Sequence, residues 1–232
     1  MIQAAMCSKC DTLKWVDYNQ PFHNLTKCDN CGSRRMEMID EEVLPIILTL
    51  GAKGIKTNFS CSGHVTYHPE KMKMCRVNSG YISFRASENG YHFKLKEYDS
   101  DASEESNKLY NEFSSLLLAI NRQEHYAFSM EWNNISLRIQ NGIRHIRYEG
   151  SGNMVDGKID VFVHRSSQNT NAYDVKAAIC QVWKYLLAFI ETYLDVDGET
   201  IYTDIPKYSE IEYLENIAPV ASKPKLPKND EF

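Results

Sequence analysis

Residues 125–164 read HYAFSMEWNNISLRIQNGIRHIRYEGSGNMVDGKIDVFVH, and this stretch decides the fold. Four runs within it, His125–Trp132, Ile135–Gln140, Ile143–Tyr148 and Lys158–His164, are rich in β-branched and aromatic residues, which fit a pleated, half-buried surface. Asn133-Asn134, Asn141-Gly142 and a loop from Gly150 to Gly157 separate them. Connections this short join antiparallel neighbours, so a meander is expected. Tyr173–Leu194 follows as a long helix carrying Val175, Ile179, Val182, Trp183, Leu186 and Phe189. So broad an apolar surface must lie against the sheet.

Upstream, Ser103–Asn121 reads as an amphipathic helix with Ser103 as its N-cap. Tyr81–Ala86 and Tyr91–Lys96 read as strands joined in a hairpin through Ser87-Glu88-Asn89-Gly90. Lys56–Cys61 reads as a further strand. Glu41–Leu50 reads as a buried helix, with Asp40 as N-cap, Pro45 tolerated near its start, and Gly51 and Gly54 at its end. The class expected is therefore α+β: an antiparallel or mixed sheet packed against two or three helices.

The N-terminal segment, residues 1–37, is expected to be a zinc-ribbon module. Cys7-x2-Cys10 and Cys28-x2-Cys31 stand seventeen residues apart. Two thiolates from each tight turn would converge on one tetrahedral zinc ion and leave no open position. So small a module cannot bury enough surface to fold alone, and the metal must supply much of its stability. The α/β domain is expected over residues 38–195. Residues 196–232 form an acidic, partly flexible tail, with four Lys against eight Asp/Glu.

The whole chain of 232 residues carries a net charge of −5. That excludes a generally basic, DNA-coating surface. Residues 41–98 depart from it, with eight Lys/Arg against five Asp/Glu, leaving room for a local anion site. Seven cysteines, four of them in close pairs, fit thiols kept reduced for metal. No apolar run approaches the roughly 20 residues that span a bilayer, and Met1–Met6 lacks the basic start of a secretory signal. No membrane association and a cytoplasmic location are expected.

The second chemical feature is Lys56-Thr57-Asn58-Phe59-Ser60-Cys61-Ser62-Gly63-His64. A strand ending in small hydroxyl and glycine residues exposes backbone N–H groups that can cradle an anion. Ser60 and Ser62 add hydroxyls, Gly63 allows close approach, and His64 exchanges a proton near neutral pH. With Lys56 and Arg85, these residues form the expected pocket for a phosphate-bearing ligand, a nucleotide or a nucleic acid. The alternative is a plain structural turn in which Cys61 fills the core. Cys61, His64, His68 and Cys75 also have spacing for a second metal, and Cys61-x-x-His64 could pair a thiolate with an imidazole.

Ala52-Lys53-Gly54 followed by Thr57-x-Phe59-Ser60-Cys61-Ser62-Gly63-His64, with Tyr81-Ile82-Ser83-Phe84 beyond, resembles uncharacterised proteins of bacteriophages and Gram-positive bacteria. More distantly, Ser60–Gly63 is similar to the Ser-Cys-Ser-Gly-Arg signature of the wybutosine-synthesis tRNA methyltransferases, with His64 in place of the Arg. The resemblance spans about residues 40–86 and implies a shared supersecondary unit. It implies a phage-encoded accessory protein in the host cytoplasm, with a host protein as a further partner class. It also implies the alternative of an RNA- or nucleotide-modifying enzyme.

No Gly-x-Gly-x-x-Gly, Walker, Gly-x-Ser-x-Gly or His-Glu-x-x-His motif is present. Asp156 and Asp160 read better as a polar hairpin than as a Mg²⁺ pair. The reading therefore favours binding over catalysis, with a protein-interaction role built on purely structural zinc as the remaining alternative.

Overall fold

The computed structural model describes residues 2–7, 9–10, 12–17, 27–34, 36–67, 74–77, 79–84, 93–96, 104–148, 152–164 and 172–195. Strands β1 (Ile2–Cys7), β2 (Leu13–Asp17) and β3 (Met36–Ile39) form an antiparallel sheet in the order β2-β1-β3. Ala4 pairs with Trp15 on one side and with Ile39 on the other. Ala4, Met6 and Ile39 are buried and join the same apolar cluster as the rest of the protein.

The expected meander forms, with a different set of turns. Strands β9 (Ala127–Trp132), β10 (Ile135–Tyr148) and β11 (Gly152–Val163) pair antiparallel in chain order. Asn133 and Asn134 sit at φ 47° and 64°, the left-handed pair that a tight hairpin turn requires. Asn141-Gly142, read from sequence as a second turn, instead runs through the middle of β10, pairing with Ile159 and Lys158. The reason is tertiary. The buried Asn141 side chain accepts a hydrogen bond from the Tyr126 N–H (2.6 Å) and donates to the Glu124 carbonyl (2.6 Å), tying down the chain that enters β9.

Beyond β11 the five-stranded sheet continues through β7 (Gly80–Phe84) to β4 (Thr57–Cys61), in the order β4-β7-β11-β10-β9. Because β4 and β11 occupy both edges of β7, the expected hairpin from Tyr81 to Lys96 cannot form. Strand β8 (Lys94–Leu95) pairs instead with β12 (Leu194–Asp195). The turn Ser87–Gly90 lies outside the described residues. A separate two-stranded ribbon joins β5 (Val65–Tyr67) to β6 (Met74–Val77).

Helices α1 (Leu44–Ala52), α2 (Glu104–Arg122) and α3 (Ala172–Tyr193) supply the other side of the core. Val175, Ile179, Val182, Leu186 and Phe189 of α3 recur at helical spacing and are fully buried. Ile82, Leu137, Ile139, Ile159 and Val161 meet them from the sheet. Each such side chain contributes about 1.5–3 kcal/mol by leaving water. At the centre, the Phe113 ring stands edge-on to Phe128 with centroids 5.4 Å apart and tilts against Phe189 at 5.8 Å. Among the described residues, no helix is long and apolar enough to cross a membrane.

The start of α1 differs from the sequence expectation in a way that bears on function. Its N-cap is Val43, with no side-chain capping bond, and Pro45 occupies the first turn. Asp40 caps nothing with its carboxylate, although its carbonyl accepts from the Val43 and Leu44 N–H groups. The carboxylate reaches across to the end of β4.

Candidate functional site: a cysteine tetrad and the Ser60–His64 turn

Cys7 closes β1, Cys10 lies in the turn before β2, and Cys28 and Cys31 lie in the turn before β3. Each pair is shaped by backbone bonds around it. The Cys7 N–H donates to the Thr12 carbonyl (3.0 Å), and the Cys28 N–H to the Ser33 carbonyl (2.8 Å). Gly32 adopts φ 64° with its N–H on the Cys28 carbonyl, a conformation open to glycine at no steric cost.

The four sulfurs lie within 4.8 Å of one another, with Cys7 to Cys31 at 3.7 Å and Cys10 to Cys28 at 3.4 Å. Four thiolates bound at about 2.3 Å to a tetrahedral ion stand about 3.8 Å apart, so the tetrad fits a metal ion with little adjustment. Thr12, through its hydroxyl 3.1 Å from Sγ and its backbone, lowers the Cys10 thiol to about 6. The Asn30 amide donates in turn to that hydroxyl at 3.2 Å. Cys31 is pushed up to about 12; the Ser33 backbone opposes the rise, while burial and the crowded neighbouring sulfurs drive it. A cation removes that crowding.

At the end of β4 the structure divides the expected anion pocket. Ser60 pairs with Ile82 and Cys61 with Tyr81, so these two side chains point to opposite faces of the sheet. Ser62 and Gly63 are buried, and Gly63 turns the chain at φ 91°. His64 stands exposed. Lys56 immediately precedes β4, five residues before Cys61 and roughly 16 Å from it at the usual strand rise. Arg85 and His68 lie outside the described residues, as does the side chain of Cys75.

Every polar group of Ser62 is already engaged. Its N–H donates to Asp40 Oδ2 at 2.7 Å, its hydroxyl accepts from Lys176 Nζ at 2.8 Å, and its carbonyl accepts from Trp183 Nε1 at 2.9 Å. Lys176 also donates to the Gly63 carbonyl (2.9 Å) and pairs with Glu42 Oε1 (2.9 Å). The N–H expected to greet an external anion thus holds an internal carboxylate.

Asp40, Glu42, Lys176 and Trp183 were not legible as turn residues from the sequence. Their only signal is spacing: Lys176 and Trp183 are seven apart on α3 and so share a face.

Three ligand-type groups meet beside the turn: Asp40, Cys61 and His64, with their reactive atoms within 4.8 Å of one another. Asp40 Oδ2 lies 3.6 Å from His64 Nε2. Burial pushes the Cys61 thiol up; the Gly63 N–H opposes this, and the Asp40 carboxylate adds to it.

On the same side of the sheet, Lys158 Nζ sits 4.2 Å over the Tyr81 ring and pairs with Asp160 at 2.5 Å. Phe162, 36% exposed, follows two residues later and pairs in register with the exposed Arg138. The chain matches no known protein family, no curated protein and no solved structure.

Proposed function

We propose that this chain is a zinc-braced binding protein that takes a nucleotide or single-stranded nucleic acid across the sheet face beside the Ser60–His64 turn. One structural zinc ion in the cysteine tetrad holds the N-terminal sheet together. The observation that carries the ligand reading is the run of Tyr81, Lys158, Phe162 and Arg138 on the side of the sheet away from α3. Lys158 is held over Tyr81 and paired with Asp160, so the exposed Phe162 ring and its cross-strand neighbour Arg138 supply the base stacking and the phosphate contact. His64 borders this face, and Lys176 braces the turn from behind. The resemblance over residues 40–86 supports an accessory role in which a phage-encoded factor acts on a host process.

Binding of labelled short single-stranded RNA and DNA, followed by fluorescence anisotropy at several salt concentrations, tests the reading. Phe162→Ala should weaken binding by about 1–3 kcal/mol, the contribution of one stacked base. Arg138→Ala should weaken it and flatten the salt dependence. Absence of binding at low salt, or binding that both variants leave untouched, would sink the proposal.

A further inference from the structure

We infer that Asp40, Cys61 and His64 form a second metal site, which takes a zinc-like divalent ion and keeps one coordination position open. The three ligands come from three separate points of the chain: the residue after β3, the last residue of β4, and the residue after the buried Ser62-Gly63 turn. Their ligand atoms already stand within 4.8 Å of one another. Oxygen and nitrogen ligands at about 2.0–2.1 Å from a tetrahedral ion lie about 3.3 Å apart. The 3.6 Å between Asp40 and His64 therefore closes with a shift of a few tenths of an ångström. His64, with 58% of its side chain exposed, has room to make it.

One thiolate, one imidazole and one carboxylate make a borderline-soft set, suited to zinc and its neighbours and poorly suited to magnesium or calcium. Three protein ligands and a fourth position for water or a ligand oxygen is the arrangement of an open zinc site, unlike the closed tetrad. The outer shell is already built. The Ser62 N–H fixes the Asp40 carboxylate at 2.7 Å, and Lys176 and Trp183 fix Ser62. Such partners orient a ligand before the ion arrives.

Charge points the same way. Among the described residues the turn sets the carboxylates of Asp40 and Glu42 against the one ammonium of Lys176, a balance that favours a cation. Binding displaces the Cys61 proton to water. The open position, on the exposed His64 side, then accepts an oxygen donor.

Titration of the full chain with zinc, read by native mass spectrometry, and with cobalt, read by absorption, tests this. The wild type should hold two ions. His64→Gln changes an exposed side chain and leaves the fold intact; it should weaken the second ion by at least about tenfold, the lower end of what losing even an outer-shell partner costs. Cys61→Ser should remove one thiolate-to-cobalt charge-transfer contribution and leave those of the tetrad. A single ion at zinc excess, or a second ion held by both variants as tightly as by the wild type, would overturn the inference. The inference goes beyond the nucleic-acid reading and fails separately from it. Two ions without oligonucleotide binding supports the site and removes that reading; oligonucleotide binding by a chain holding one ion does the reverse.

Discussion

The indole N–H of Trp183 donates to the carbonyl of Ser62 at 2.9 Å, linking the middle of α3 to the turn after β4 across 121 residues of sequence. The indole is 1% exposed and Ser62 is fully buried, so no water can replace either partner. A buried carbonyl stripped of its donor costs about 1–3 kcal/mol. The turn therefore keeps its shape because the core holds it, and the half-buried Cys61 and exposed His64 that flank it inherit that rigidity.

Gly80 shows how little space this arrangement leaves. A Cβ at that position would lie 2.7 Å from Trp183 Cζ2 and 2.8 Å from the Ser62 carbonyl oxygen. One belongs to the indole that donates this hydrogen bond and the other is the backbone oxygen that accepts it, so neither can yield cheaply. Gly80→Ala should destabilise the protein by about 1–3 kcal/mol, the usual cost of overpacking. Chemical denaturation would measure it. An unchanged midpoint would mean that the turn is softer than its bonding implies.

Lys176→Met should also destabilise, by about 1–2 kcal/mol. The pair with Glu42 is about a third exposed on each side, so its loss costs less than that of a fully buried pair. The pH dependence gives the sharper signature. Burial alone would raise the Glu42 pKa, but the hydrogen bond and charge of Lys176, aided by Ser62, hold it below the ordinary carboxylate range. A depressed carboxylate contributes stability that is fully present above its unfolded pKa and is lost as pH falls through the folded value. The gap between wild type and variant should therefore be widest near neutrality and narrow in acid. It should not vanish, because Lys176 keeps its bonds to Ser62 and Gly63. A gap independent of pH would assign the effect to those bonds alone.

Asn141→Ala should cost more than its small volume suggests. Asn141 is 3% exposed, and its amide satisfies the Tyr126 N–H and the Glu124 carbonyl. Removing the amide leaves two backbone groups without that partner, at about 1–3 kcal/mol each if water cannot enter. Hydrogen exchange at the Tyr126 amide should quicken, while the Asn133-Asn134 turn stays as it is. Equal protection in variant and wild type would show that Tyr126 does not depend on the side chain.

Asn141 also shows where the sequence misleads. Asn-Gly between apolar runs is a strong hairpin signal, yet here the pair continues a strand because Asn141 has a tertiary task. Asp40 is a second case: an aspartate before a helix looks like a cap, and a carboxylate that accepts an N–H does so equally well from a distant turn. Local patterns carried the rest. Ligand spacing within each cysteine pair and helical periodicity in α2 and α3 are properties of neighbouring residues, so they were legible. Which strand flanks β7, and which lysine braces Ser62, depend on residues about a hundred positions away and leave no local mark.

Asp40 links the cysteine tetrad to the turn. Strand β3 ends at Ile39, and the next residue is Asp40, whose carboxylate holds the Ser62 N–H. The sheet that carries β3 is closed at its other end by the cysteines. A structural zinc ion of the kind proposed for the tetrad contributes on the order of 10 kcal/mol to folding, so chelation should release β1, β2 and β3 together. Asp40 would then lose its anchor, and the Ser62 amide should exchange faster in chelator-treated protein and in Cys10→Ser. The Tyr126 amide, held by Asn141 on the far side of the sheet, should not change. Protection of Ser62 that survives complete loss of the metal would show that the ribbon is merely appended, and that α3 alone, through Lys176 and Trp183, sets the geometry of the turn.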